Sequence, residues 1–176
     1  VIEAKSIGSD AILLIASILE SEEISKLSSL AKSLGLEVLV EIHSFDELKK
    51  QSNRLLNDKQ KAGLKYYEDV LKRIPRKEID SYDKKLRKIF DSVKNKDSTF
   101  EIVGSYRRGA SNSGDIDIII SDPTASREVF NKFLDKLIEK KILIEVLSRG
   151  DVKSLGISKL GKNPARRIDF MFTPRK

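Results

Sequence analysis

The sequence predicts an α/β fold in which a small mixed sheet flanked by helices follows a separate strand–helix–strand unit. Three observations predict it. Short apolar runs bounded by turn residues recur at both ends of the chain, a highly charged stretch with helical apolar spacing lies between them, and a further amphipathic helix falls among the later strands.

The first elements are the run Ala11 to Ile15 after Gly8-Ser9-Asp10 and the run Glu37 to Ile42 after Gly35. Between them Ser21 reads as an N-cap, Glu22 and Glu23 make an acidic first turn, and Ile24, Leu27, Leu30, Ala31 and Leu34 form a stripe that Gly35 closes. A strand, helix and strand so joined should make a right-handed crossover between parallel strands. Two parallel strands cannot cover both faces alone, so this unit calls for a partner surface, either elsewhere in the chain or in another copy. From Ser44 to Asn95 the chain is charged and helical, broken at Pro75. Phe45, Leu48, Leu55, Leu56, Leu64, Tyr67, Val70 and Leu71 supply one apolar face, and Ile79, Tyr82, Leu86, Ile89, Phe90 and Val93 another. Strands are expected at Phe100 to Val103, Asp115 to Ile120, Ile142 to Leu147, Leu155 to Ser158 and Ile168 to Phe172, with a helix from about Ser126 to Lys140. The expected organisation is a βαβ unit over 1–45, a helical connector over 46–98 and the sheet over 99–176.

Composition narrows the function. The 176 residues suffice for one domain, or a small domain with a fragment of another. Lys and Arg number 34 against 27 Asp and Glu, a net charge of +7 that favours an anionic partner such as nucleic acid or a nucleotide. There is no cysteine, which removes disulfides, thiolate metal sites and thiol catalysis, and the single histidine, His43, cannot build a metal cluster alone. No apolar run reaches membrane-spanning length and the start lacks a signal-peptide plan, so a soluble, intracellular protein without a membrane partner is expected. A start without methionine and an end just after a strand suggest a piece cut from something longer.

The chemistry concentrates in three carboxylates and the residues around them. Asp115-Ile116-Asp117 opens an apolar strand, so strand alternation puts both carboxylates on one face. Such a pair repels itself unless a cation lies between, and Mg²⁺ takes hard oxygen ligands while also binding phosphate oxygens. Asp169 is a third carboxylate inside an otherwise apolar strand and would complete a site for two ions. A bare Asp-x-Asp is more often the start of an edge strand. What changes the weighing is Gly104-Ser105, directly after a strand and before the short basic run Tyr106-Arg107-Arg108, a phosphate-binding arrangement in which Arg108 adds a fixed cation. Ser113-Gly114 supplies a second tight turn just before Asp115.

Gly104-Ser105-Tyr106-Arg107-Arg108-Gly109-Ala110, followed by Ser113-Gly114-Asp115-Ile116-Asp117, resembles the palm signature of the family X DNA polymerases. Upstream, Gly63-Leu64-Lys65-Tyr66-Tyr67-Glu68-Asp69 and Lys72-Arg73-Ile74-Pro75-Arg76 resemble the entry to that palm, and Arg166-Arg167-Ile168-Asp169 resembles its strand with the third metal ligand. The likeness runs from about Ser44 to Pro174. It implies an α+β, nucleotidyltransferase-like palm that transfers a nucleotide from a nucleoside triphosphate to the 3′-hydroxyl of a DNA primer-template. Asp115, Asp117 and Asp169 would be the catalytic ligands of two Mg²⁺ ions, with Mn²⁺ as a substitute and Asp169 nearest the primer. Arg73, Ser105, Arg108 and Gly114 would contact the triphosphate, with Gly104 and Ser113 in the same cradle. Without that context Arg73 reads as a solvated cation at a helix end. A nuclear location follows if the origin is eukaryotic. The family's thumb-like subdomain and helix-hairpin-helix elements are expected to be missing here, which would compromise templated synthesis.

The N-terminal segment resembles another family. Ile7-Gly8-Ser9-Asp10-Ala11-Ile12-Leu13-Leu14-Ile15 and Leu36-Glu37-Val38-Leu39-Val40-Glu41-Ile42-His43 are similar to indole-3-glycerol-phosphate synthase, a (β/α)₈ barrel, and Glu41 falls where that family has a functional carboxylate at a strand end. About a quarter of a barrel is matched, so no synthase activity is expected. His43 to Leu48 fits both families and marks the expected crossover of a chimera. The alternative to a polymerase-type enzyme is a non-catalytic DNA- or nucleotide-binding module held by charge; a barrel-derived synthase piece is the third reading. The sequence leaves the oligomeric state open.

Overall fold

A computed structural model describes residues 1–124 and 126–174. Arg175 and Lys176, at the end of the expected sheet region, lie outside the described residues, as does the side chain of Leu55, expected on an apolar helix face. The chain divides into two compact units, Val1–Leu64 and Lys65–Lys176, so the division falls inside the stretch expected to be a helical connector.

The N-terminal unit starts with a short helix, α1 (Ile2–Ser6), which the sequence analysis did not anticipate. Strands β1 (Ala11–Ile15) and β2 (Glu37–Glu41) pair in parallel, from Ala11 beside Glu37 to Ile15 beside Glu41, across the helix α2 (Ser21–Ser33). Helix α2 is capped one residue earlier than expected. Glu20 is the extended N-cap and its N–H donates to the Glu23 carboxylate at 3.0 Å, so Ser21 is already the first helical residue. Its end is as expected: Gly35 takes φ 72°, letting the Gly35 N–H reach Lys32 O at 3.0 Å and the Leu36 N–H reach Ala31 O at 2.9 Å. Ile24 and Ala31 of α2 and Leu14 of β1 are buried. Two further helices follow, α3 (Phe45–Leu55) and α4 (Asp58–Lys65). They are separate because Leu56 is extended and Asn57 starts a new cap, accepting from the Gln60 N–H at 2.9 Å.

The C-terminal unit begins with α5 (Tyr67–Val70) and a two-residue strand β3 (Ile74–Pro75), then α6 (Arg76–Asp91). Proline is at home there: it is extended, needs no N–H, and stands just before the first helical residue. Strand β4 (Thr99–Ile102), the short turn of helix α7 (Gly104–Arg107), β5 (Asn112–Ser113), β6 (Ile116–Asp122), helix α8 (Glu128–Glu139) and strands β7 (Leu143–Arg149), β8 (Lys153–Ser158) and β9 (Arg166–Pro174) complete it. The sheet order is β4-β6-β9-β8-β7, with β6 and β9 parallel and every other neighbour antiparallel, a mixed sheet as expected. A second, two-residue ladder joins β3 to β5 and was not foreseen, since two residues carry no periodic signal.

Helices α6 and α8 cover one face of this sheet. Ile79, Tyr82, Leu86, Ile89 and Phe90 of α6 and Val129, Phe130, Phe133, Leu134 and Leu137 of α8 are buried, each set at helical spacing. They meet Ile116, Ile118 and Ile120 of β6 and Ile168, Phe170 and Phe172 of β9, all members of one apolar cluster. Phe133 stands edge-on to Phe90 at 5.5 Å and to Phe100 at 5.7 Å. Burying each such ring stabilises the fold by roughly 1.5–3 kcal/mol. At the far end of β6, Asp122 is fully buried, accepting from Ser98 Oγ at 2.6 Å and Asn95 Nδ2 at 3.0 Å and from the Thr124 hydroxyl and N–H; these bonds, that of Ser98 first and Thr124 next, hold its carboxyl down at about 2. Among the described residues no helix is long and apolar enough to cross a membrane.

Candidate active site

Alternation along β6 turns Ile116, Ile118 and Ile120 into the core and leaves Asp117 on the other face. The parallel register then sets Asp117 directly beside Asp169 of β9. Asp115 stands one residue before β6, so the three expected carboxylates do come together at one end of adjacent strands. Burial pushes the Asp117 carboxyl up, and Asp115 and Asp169 push it further. Burial also raises Asp169, against the opposing pull of Arg167 and Lys153, with Asp115 adding to the rise.

Arg167 was not among the expected site residues. It sits two residues before Asp169 on the same face of β9, pairs with Asp115, and holds its Nε 3.7 Å from Asp169 Oδ1. That oxygen is buried and has no hydrogen-bond partner. Among the described residues no three carboxylate or imidazole groups form a ready-made metal cage, and Asp115 is engaged with Arg167. The donor set nevertheless fits a hard divalent cation: three neighbouring carboxylates, of which Asp117 and Asp169 are raised by burial and by the charge of Asp115, and Asp169 has a buried oxygen without a hydrogen bond. The two-residue spacing to Asp169 was the signal that could have found Arg167.

Gly104 is positioned against Asp117. Its φ is 63°, and a Cβ there would run into the Asp117 carboxylate, so both backbone and space demand glycine. The Val103 N–H donates to Asp117 O at 2.8 Å, which locks the turn to β6. Helix α7 starts at Gly104 itself rather than after Ser105, and spans four residues. Ser105 Oγ donates to Ser113 Oγ at 2.8 Å, joining the two expected phosphate turns. Arg73 lies along the second turn: its Nε donates to Asn112 Oδ1 at 2.8 Å, its Nη2 to Asn112 O at 3.2 Å, and a Cβ on Gly114 would come within 3.2 Å of its Nη1. Arg73 is therefore a seated cation beside Gly114, while Arg108 is exposed and without an ion pair among the described residues.

Two further contacts hold these pieces in place, and neither was legible as a pattern. Arg76 donates through Nη1 to Tyr106 O at 2.8 Å and to Ala110 O at 3.3 Å, stacks on the Tyr106 ring, and the Tyr106 hydroxyl donates to Asp80 at 2.7 Å. Arg166, 4% exposed, forms a two-pronged pair with Glu78 at 2.9 and 2.7 Å and donates to Lys72 O at 2.9 Å. It fixes the segment bearing Arg73 to the strand bearing Asp169. In the N-terminal unit, Glu41 is half-buried and pairs with His43 at 3.0 Å.

Comparison with known proteins accounts for both parts of the chain. Residues 1–56 match the family model of indole-3-glycerol phosphate synthase. Residues 73–175 match that of the DNA polymerase beta palm. DNA polymerase lambda of Arabidopsis thaliana is 31% identical over 147 residues, an alignment that takes in 75% of this chain and 27% of the relative, so the chain spans about a quarter of that protein's length. With the carboxylate strands, the Gly104-Ser105 turn and Arg73 all inside a match that covers more than half of its residues, the chain belongs to the DNA polymerase beta palm family, that of the family X polymerases.

Proposed function

We propose that the chain performs nucleotidyl transfer from a nucleoside triphosphate to a DNA 3′-hydroxyl, with Asp115, Asp117 and Asp169 holding two Mg²⁺ ions, or Mn²⁺ in their place. The observation that carries this reading is the register that sets Asp117 beside Asp169, whose buried Oδ1 has no hydrogen bond. Bound there, the ions would supply Lewis-acid activation of the attacking hydroxyl and charge neutralisation at the leaving pyrophosphate. Everything else falls to the chain. To hold the ions Asp115 would give up its pairing with Arg167, which would remain a cation beside Asp169. Gly104 admits close backbone approach, and the Ser105 and Ser113 hydroxyls offer donors to phosphate oxygens. Arg73, seated by Asn112, and Arg108, free to swing, neutralise the triphosphate. The two family matches do not overlap, which supports reading the chain as a join of a barrel-type βαβ piece over 1–45, a helical connector over 46–98 and a palm over 99–176.

The test is Mg²⁺-dependent primer extension with a labelled nucleotide, run beside Asp115→Asn and Asp169→Asn. Extension by the parent chain that vanishes in both variants is expected. No extension together with no Mg²⁺-dependent nucleotide binding sinks the proposal and leaves the second reading, a non-catalytic DNA- or nucleotide-binding module, which the net charge of +7 favours.

A further inference from the structure

On the helix-covered side of the C-terminal sheet, opposite the face that carries Asp117, a cleft of ≈ 290 Å³ is lined by Lys85, Lys88, Ile89, Ser92 and Lys140. Lys85, Lys88 and Lys140 are exposed, and none forms an ion pair among the described residues. The carboxylates next to the cleft in sequence are already engaged: Asp91 with Lys94 at 2.8 Å and Glu139 with Lys136 at 2.6 Å, although Glu139 also feels Lys140. The cleft is thus a pocket of positive charge without a matching negative one. Lysines near helix C-termini do complement the helix dipole, and that alone would explain Lys88 and Lys140.

It does not explain Lys141. Helix α8 ends with the same hydrogen-bond pattern as α2, the Lys141 N–H reaching Ile138 O at 2.9 Å and the Ile142 N–H reaching Leu137 O at 3.0 Å. In α2 the left-handed residue is Gly35; here it is Lys141 at φ 53°, the one non-glycine residue with positive φ among the described residues. A side chain in that conformation costs stability that glycine would save, so this turn keeps an exposed lysine next in sequence to Lys140 at the expense of the fold.

We infer that this lysine cleft is a second nucleic-acid contact, holding a stretch of duplex DNA phosphodiester backbone away from the primer terminus. Lysine presents a compact point charge suited to sequence-independent phosphate contacts, and the cleft lining holds three lysines and no carboxylate. The choice of DNA rests on the proposed function. The surface itself is tested without catalysis, so its failure and that of the active-site reading are separate results.

The experiment measures binding of a short, blunt-ended, labelled duplex by fluorescence anisotropy over a range of salt concentrations. The variants are Lys85→Gln/Lys88→Gln/Lys140→Gln and, as a control of equal charge change, Lys65→Gln/Arg127→Gln/Lys132→Gln, whose cations are paired to Glu145, Asp151 and Glu128, none of them next to the cleft in sequence. Loss of three phosphate contacts should weaken binding in the first variant and lower the slope of log affinity against log salt by about 2 to 3, with the control near the parent chain. Lys141→Gly should melt at a higher temperature and bind the duplex more weakly. The proposal is overturned if the cleft variant binds as the parent does, if the control weakens binding equally, or if Lys141→Gly binds undiminished. A poly-glutamate probe held as tightly as duplex, and lost in the same variant, overturns the choice of DNA in favour of an acidic protein segment.

Discussion

In the C-terminal unit the parallel strands β6 and β9 have two helices over one face, and Ile116, Ile118, Ile120, Ile168 and Phe170 are fully buried. In the N-terminal unit the parallel pair β1–β2 places Leu13 beside Leu39 in register, and these are 51% and 67% exposed. Both sheets have a face that no helix of their own unit covers. In the C-terminal unit that face carries Asp117, Asp169 and Arg167, groups whose charge gives the face a use. In the N-terminal unit it holds Ala11, Leu13, Ile15 and Leu39, with Glu37 and Glu41 at its ends, on a sheet of only two strands. An open face is stable when its side chains gain from water or ions, and a loss of stability when they do not.

The comparison breaks most directly under truncation of one side chain in each unit. Phe133→Ala removes a ring packed against Phe90, Phe100 and Phe170 and should cost about 3 to 5 kcal/mol in urea denaturation followed by circular dichroism. Leu39→Ala should cost less than about 0.5 kcal/mol, since little is buried there. Equal losses would mean that the two faces are alike after all.

Next in size is an acid effect confined to the C-terminal unit. Asp122 has its carboxyl depressed to about 2 in the fold by Ser98 first and then Thr124. A depressed carboxyl contributes stability that is fully present above its unfolded value and lost as pH falls through its folded one. The chain should therefore lose about 2 kcal/mol between roughly pH 4 and pH 2, and Asp122→Asn should flatten that part of the pH profile.

Tyr106→Phe removes one hydroxyl bond to Asp80, worth about 1 kcal/mol, while keeping the ring on Arg76. The turn bearing Gly104 and Ser105 should loosen, weakening binding of a non-hydrolysable nucleoside triphosphate several-fold with little change in melting temperature. Unchanged nucleotide affinity would show that the hydroxyl does not position this turn. Smallest is the effect of Asp169→Asn on the chelated protein. Removing one of three mutually repelling carboxylates should raise its melting temperature slightly, and Mg²⁺ should then stabilise the parent chain more than the variant. A lower melting temperature in the variant would mean that the pull of Arg167 and Lys153 outweighs burial and repulsion.

Much of this was legible beforehand because it is periodic. The stripes of α6 and α8, the alternation that separates Ile116 and Ile118 from Asp117, and the glycine that ends α2 each follow from spacing along a few turns or one strand. Gly104 and Ser105 could be picked out because a tight turn after a strand has few solutions. The pairing of Arg167 with Asp115, the ladder between Ile74-Pro75 and Asn112-Ser113, and the bond from Tyr106 to Asp80 had no such signature. Each joins single residues from distant segments.

By itself, then, the sequence determined the longer helices and strands and which of their faces are apolar, and it singled out three aspartates and two glycine turns. Only the tertiary structure decided that Asp117 stands beside Asp169, that Arg167 fills the space next to Asp115, that Arg166 and Glu78 fasten Arg73's segment to β9, and that Leu13 and Leu39 stay exposed. Local preferences are set by neighbours in the chain, whereas register, burial and charge pairing are set by which segments close on one another, and those distances do not exist until the chain has folded.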